Sequence, residues 1–300
     1  MATLYIWYGT KEKYINVTGI CFQTCYHHPN IVIPAGEGSR VYYFTDPHFN
    51  SLKSIFISVN GKTYHVYDHT VKISINVQTN EITTVSVQDT ACQQLQQIHS
   101  KLHLIHGSLH DELPEQEITC RYLTGKEKVL EIGANIGRNT MVIASILEDN
   151  SNFVTLECEP TIVKQLTENR DHNGCTFHIE PSALSNRKLI QSGWDTKEVE
   201  HITGDIVLVP TITLEELRTK YPIAFDTLIL DCEGAFYYIL KDMPSILDGI
   251  NLIIMENDYW DLSKKLEMDH ILRKNGFYVD YVEGGGWGPC STFFYQAWKR

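Results

Sequence analysis

The feature that most limits what this chain can become is a change of hydrophobic period near Gln93. Before it, apolar residues fall in short runs: LYIWYG, KYINV, IVIP, RVYYF, KSIFISV, KTYHVYD, VKISINV and ITTVSV, divided by Gly, Pro, Asn and Asp. Runs of that length, rich in β-branched and aromatic residues, read as strands. Asn60-Gly61 between two of them is a hairpin signal, because a type I′ turn needs positive φ at both central residues. Thr79-Asn80 predicts a second hairpin. The pattern predicts a small all-β domain over residues 1–90, fit for recognition or dimerisation and carrying no catalytic constellation.

After Gln93 the period lengthens. Leu95, Ile98, Leu102, Ile105 and Leu109 stand at helical spacing, and a second short helix starts at Pro114, giving a helical lead-in over 91–124. Seven strand-like runs follow: KVLEIG, FVTLE, TFHIE, FDTLILD, NLIIME, GFYVDYV and TFFYQAW, with helical stretches between most of them. That alternation predicts an α/β domain over 91–300, a doubly wound, mostly parallel seven-stranded sheet.

Lys and Arg number 25 against 37 Asp and Glu, a net charge of −12. So acidic a chain is repelled by a phosphate backbone, which argues against a nucleic-acid partner. No apolar run reaches the ~20 residues of a bilayer span, and MATLYIWYGTKEKY lacks the pattern of a secretory signal. The expectation is a cytoplasmic protein with no membrane partner. Its eight cysteines form no CxxC pair and read as reduced thiols; Cys21 and Cys25 with His27 and His28 are a weak zinc pattern, since a second cysteine pair is missing.

The first strand of the α/β domain runs into Glu131-Ile-Gly133-Ala134-Asn135-Ile-Gly137. A dinucleotide fingerprint would need glycine at positions 135 and 138, where Asn135 and Arg138 stand, and no phosphate-binding G-K-[ST] is present. A loose glycine turn after an acidic strand end suits S-adenosylmethionine, a phosphate-free cation. Glu157 and Glu159 follow about 20 residues later, where a ribose diol is gripped.

VLEIGANIGRNT, FVTLECEP, PSALSNRK, TITLEEL, LILDCEGAFYYIL and LIIMEND, in that order, resemble the FkbM-type S-adenosylmethionine-dependent methyltransferases over roughly residues 117–300. The β-rich front is similar to that of giant-virus members, whose setting would be the host cytoplasm. The resemblance implies a class I methyltransferase (Rossmann-like) fold and methyl transfer to oxygen, often a sugar hydroxyl. It implies that Glu131, Gly133, Ala134, Asn135 and Gly137 shape the cofactor turn. Glu159 would hold the ribose, with Glu157 its competitor, and Ser182 and Ala183 would flank the adenine. Asp231, Glu233 and Gly234 match the family's D-x-E-G. Two departures, Ile229 for a common Lys and Phe236 for a common Glu, imply a reshaped acceptor pocket.

Methyl transfer to a hydroxyl needs a general base. Asp231 is the first candidate, Glu256 the second, and Glu233 stands nearby; these acids could alternatively hold Mg²⁺, although no resident metal is expected. Asn257, with Trp287 in a glycine-rich loop, would contact a sugar or glycan acceptor, including a nucleotide-linked sugar. His99, His103, His106 and His110 would form one helical stripe, with His106 and His110 on the acceptor wall. The rival readings are a cofactor- or glycan-binding scaffold without catalysis, and a protein or lipid methyltransferase. A homodimer is compatible with the front domain.

Overall fold

The Asn60-Gly61 turn forms as the sequence requires, with φ of 55° and 68°, and joins two antiparallel strands. It belongs to a computed structural model that describes residues 3–49, 51–61, 63–86, 90–192, 195–199 and 208–300. Lys62 and Val87, the ends of two expected strands, lie outside them. The chain divides into two compact units, Met1–Asp89 with Asp280–Gly285, and Thr90–Val279 with Gly286–Arg300.

The first unit contains β1 (Leu4–Gly9), β2 (Tyr14–Asn16), α1 (Thr18–Thr24), β3 (Tyr26–His27), β4 (Asn30–Ile33), α2 (Glu37–Phe44), β5 (Ser54–Val59), β6 (Thr63–Tyr67), β7 (Val71–Asn76) and β8 (Ile82–Ser86). They make two four-stranded sheets, β2-β1-β5-β6 and β3-β4-β7-β8. One core, including Ile6, Tyr8, Ile31, Ile33, Ile55, Ile57, Ile73 and Ile75, is built from their alternate residues.

The all-β expectation is corrected at two places. RVYYF lies in α2, where Arg40 and Phe44, one turn apart, are fully buried. The Arg40 guanidinium donates to the carbonyls of Pro34 (3.1 Å), Asp68 (2.6 Å) and Val71 (2.8 Å). A buried charge is tolerated only when so bonded, and these long-range partners outweigh local strand preference. Cys21 in α1 and Cys25, which caps its C-terminus, are both buried one turn apart. Their spacing is that of a helix face packing into a core.

The second unit contains α3 (Thr90–His99), α4 (Leu113–Tyr122), β9 (Val129–Ile132), α5 (Arg138–Ile146), β10 (Phe153–Leu156), α6 (Pro160–His172), β11 (His178–Glu180), β12 (Ala183–Leu184), β13 (Leu189–Ser192), β14 (Asp195–Glu198), β15 (Leu208–Val209), β16 (Thr211–Ile212), α7 (Leu214–Lys220), β17 (Thr227–Leu230), α8 (Phe236–Asp242), β18 (Leu252–Glu256), α9 (Leu262–Lys274), β19 (Tyr278–Glu283, its first two residues only) and β20 (Tyr295–Lys299). Seven strands order as β11-β10-β9-β17-β18-β20-β19, parallel from β11 to β18, with β20 antiparallel to β18. Every residue of β9, β10 and β17 is buried, which is why these strands are near-continuous apolar runs. The chain winds outward from β9 to β11 and resumes at β17 on the other side of β9. The crevice at that switch point lies at the carboxyl ends of β9 and β17, where open sheets of this kind bind ligands. A three-stranded sheet, β14-β13-β15, is an addition that the sequence pattern did not reveal.

The single helical stripe of histidines does not form, because α3 ends at His99. Asn169 Oδ1 accepts from the N–H groups of Ile105 (2.8 Å) and His106 (3.0 Å), and its amide donates to the carbonyls of His106 (3.1 Å) and Ile136 (2.8 Å). Asn173 clamps His103 the same way, through its N–H (2.9 Å) and carbonyl (2.8 Å). Backbone groups satisfied by the side chains of Asn169 on α6 and Asn173 at its C-cap have no need of a helix. Among the described residues, no helix is long and apolar enough to cross a membrane.

Candidate active site

At the switch point Gly133 adopts φ 93°, and a Cβ there would stand 1.6 Å from the Asp231 carbonyl oxygen. Gly137, at φ 94°, leaves room for Leu166 of α6, which a Cβ would meet at 2.6 Å. Both glycines are therefore demanded by backbone conformation and close packing. The turn is fixed by Glu157 at the end of β10. Its Oε2 accepts from Asn135 N–H at 3.0 Å, and its Oε1 from the N–H groups of Cys158 (2.7 Å) and Glu159 (2.9 Å). Glu159 caps α6 by accepting from Ile162 N–H at 2.7 Å.

A cavity of about 690 Å³ opens above this turn, lined by Gly133, Asn135, Glu157, Glu159, Ser182, Ala183, Asp231 and Glu233 among others. Ala134 and Gly137 are not in its wall. Neither is Glu131, which is 2% exposed and accepts from Thr140 Oγ1 (2.7 Å) and Thr155 Oγ1 (2.5 Å) through Oε2. Glu131 braces β9 against β10 and α5 from within, and burial pushes its carboxyl up to about 7. A carboxyl that holds its proton more tightly folded than unfolded stabilises the fold less as pH rises from 4.5 to about 7. Glu131→Gln removes that dependence. Relative to the parent chain it is expected to gain about 2–3 kcal/mol between about pH 4.5 and pH 8, measured by urea unfolding. A pH-independent difference would refute the shift.

Beyond the turn, carboxylates converge. Asp231 follows β17, Glu256 ends β18 and Asp258 comes two residues later; their oxygens lie within 4.8 Å of one another, close enough to ligate one divalent cation. Burial, then the negative charges of Glu112, Asp258, Glu233 and Glu131, hold Asp231 well above the usual carboxylate range. Burial and Asp231, among other acids, push Glu256 up to about 10. Glu115 on α4, 5% exposed and bonded to Asn139 Nδ2 at 3.0 Å, is raised by burial and by the same neighbours. Like charges desolvated together cannot all ionise, so this nest holds protons at neutral pH. Glu115 lies outside every motif in the sequence and is reached only through the fold.

Several expected contacts are corrected. Asn257 is fully buried and its amide donates to the carbonyls of Phe293 (2.7 Å) and Phe294 (3.0 Å), so it anchors the loop before β20 and touches no acceptor. Ile229 and Phe236 are buried at 0% and 2%, and neither lines the cavity, so these departures repack the core. His106 is bonded to Glu168, His110 rests against the His99 ring with centroids 6.0 Å apart, and neither lines the cavity. Trp287 is 70% exposed and outside the cavity wall. The tryptophan in that wall is Trp260, 76% exposed; a Cβ added at Gly288 of the glycine-rich loop would stand 3.7 Å from its ring. Tyr238 joins it, its ring flanked by Arg187 at 4.9 Å and Lys264 at 5.0 Å. The signal for Trp260 was its place just past β18, beside the strand-end acids.

The strand order with its reversed β20, and the crevice at the β9/β17 switch point, define a class I methyltransferase (Rossmann-like) fold. Similar solved structures include a ribosomal-protein methylase of Lactobacillus delbrueckii subsp. bulgaricus, with 12% identity over 66% of this chain and 81% of that one, TM-score 0.43. An O-methyltransferase of Bacillus cereus in complex with SAH shows 14% identity over 71% and 92%, TM-score 0.41. A precorrin 8w decarboxylase of Methanobacterium thermoautotrophicum shows 15% over 67% and 98%, TM-score 0.39. No family model matches the chain, and no curated protein matches it significantly.

Proposed function

We propose that the chain is an FkbM-like enzyme that moves a methyl group from S-adenosylmethionine to a hydroxyl oxygen of a sugar or glycan. The observation that carries this reading is the meeting, in one cavity, of Gly133 and Asn135 of the glycine turn with the carboxylates of Asp231 and Asp258, beside which Glu256 stands. The cavity wall supports the cofactor reading: Glu157 and Glu159 supply carboxylates suited to a ribose diol, and Ser182 and Ala183 supply small residues suited to a flat base. No Lys or Arg belongs to the 133–137 turn, which suits a sulfonium and not a pyrophosphate. When bound, S-adenosylmethionine supplies an electrophilic methyl group on a cationic sulfur.

The chain's own residues do the rest. Glu157 holds the turn through Asn135 N–H, leaving Glu159 and its own second lone pairs for the ribose hydroxyls. Asp231 takes the acceptor's hydroxyl proton on a carboxylate oxygen, because a cation beside it favours the ionised form that burial alone suppresses. Trp260 carries the acceptor ring on its exposed face. Calorimetry with S-adenosylhomocysteine tests the first step, and the absence of binding at about millimolar concentration would end the reading. Trp260→Ala is expected to raise the acceptor KM by about tenfold, roughly 1.4 kcal/mol of stacking, with kcat little changed. An unaltered KM would remove the indole from the acceptor site.

A further inference from the structure

We propose that the outward face of sheet β2-β1-β5-β6 binds a short neutral oligosaccharide by stacking sugar rings on its aromatic side chains. Strand register assembles that face. Trp7 lies opposite Asn16 of β2 and Phe56 of β5, and Phe56 lies opposite Val66 of β6. Tyr5 shares the face of Trp7, and Tyr14 lies opposite Gly9 on the same side. The alternate residues Ile6, Tyr8, Ile55 and Ile57 are fully buried, so this set points away from the core.

The named positions are mostly aromatic, with rings held by one another, and uncharged. Tyr5 and Tyr14 are 43% and 55% exposed. The Tyr5 and Trp7 rings stack with centroids 5.6 Å apart and 27° between their planes, and the Tyr14 and Phe56 rings lie 6.3 Å apart. Rings fixed by neighbours lose little entropy when a ligand settles on them. No Lys, Arg, Asp or Glu occupies the positions named, although charged residues make up 21% of the chain. None of these positions offers an ionic ligand a counter-charge. A pyranose does find complementary surface: its weakly positive C–H face lies on the negative face of an aromatic ring, while the Asn16 amide offers hydrogen bonds at the margin.

Size selects against a protein occupant. Four strands about 4.8 Å apart, each about five residues long at 3.3 Å per residue, span roughly 250 Å². Each side of a stable protein complex buries about 800 Å². Self-association is disfavoured further by the net charge of −12 on each copy. A few sugar rings fit the area. The proposal stands apart from methyl transfer, because the face belongs to the N-terminal unit alone.

The test titrates the full chain with cellohexaose, mannohexaose and chitohexaose, with an oligogalacturonate as the charged control, by calorimetry and saturation-transfer NMR. At least one neutral hexasaccharide is expected to bind more tightly than about 1 mM, and more tightly than the control. Tyr5→Ala and Tyr14→Ala, both at exposed positions, should each weaken it about fivefold or more without lowering the unfolding temperature or the affinity for S-adenosylhomocysteine. Three results would overturn the proposal: no neutral hexasaccharide binding at about 10 mM, binding unmoved by both variants, or a sedimenting dimer that the variants dissociate. The last would make the face a contact between copies of the chain.

Discussion

Replacing Asp231 with Asn should lower kcat for methyl transfer by about 10²–10⁴-fold, the range that a positioned general base contributes. The reason lies in how the residue is placed. Asp231 leaves β17 with its N–H bonded to the Ile132 carbonyl at 3.1 Å, and Gly133 yields the space its backbone needs. Its carboxylate is therefore carried by two adjacent central strands, and asparagine can occupy the same position while accepting no proton. Binding of S-adenosylhomocysteine should survive within about threefold, because deleting one carboxyl from a nest of acids relieves like-charge repulsion. Thermal stability at about pH 8 should rise for the same reason. A variant that keeps kcat but binds cofactor poorly would reassign Asp231 to holding the cofactor's ammonium. Should Glu256→Gln abolish turnover while Asp231→Asn spares it, the base would be Glu256.

What the sequence disclosed follows from where each contact is made. β9, β10, β17 and β18 were legible because a strand buried on both faces writes its environment into its own residues: VLEI, FVTL, TLIL and LIIME. The Asn60-Gly61 hairpin was legible because its turn is chemically local. Failures fell where a distant partner decides. RVYYF is helical because Arg40 reaches the Asp68 and Val71 carbonyls, and no local window contains those acceptors. The segment after His99 is not helical because Asn169 and Asn173 satisfy its backbone; the asparagines stood in the sequence without any sign of what they would bind.

The site shows the same division. Asp231, Glu233 and Glu256 were visible because strand ends in an alternating fold point to one crevice. Asp258 adjoined them in sequence and Glu115 did not, yet Glu115 shifts with the cluster because α4 brings it within reach. Trp287 stood out in the sequence, and Trp260, the tryptophan in the cavity wall, did not. A glycine-rich loop suggests an exposed platform, and Trp287 is indeed exposed, but the tryptophan that lines the cavity is Trp260, just past β18.

The proton content of this nest sets the second large effect. S-adenosylmethionine and S-adenosylhomocysteine share an ammonium, a carboxylate and a nucleoside, and differ in the sulfonium charge. In the free chain Asp231 is held well above its ordinary range and Glu256 near about 10, so the pair holds at least one proton at neutral pH. A sulfonium beside them favours ionisation, so the cationic ligand should expel a proton that the neutral one leaves in place. The complex then holds fewer protons than the free chain, and linkage makes affinity rise with pH. For one linked proton, the ratio of S-adenosylmethionine to S-adenosylhomocysteine affinity should climb by up to about tenfold per pH unit between about pH 6 and pH 8. Calorimetry in two buffers of different ionisation enthalpy should show about one more proton released with the sulfonium ligand. Asp231→Asn should reduce that difference, since it deletes one of the two titrating groups nearest the turn. A ratio that stays flat with pH, with equal proton release for both ligands, would mean that the acids do not face the sulfur, and the base assigned to Asp231 would fall with it.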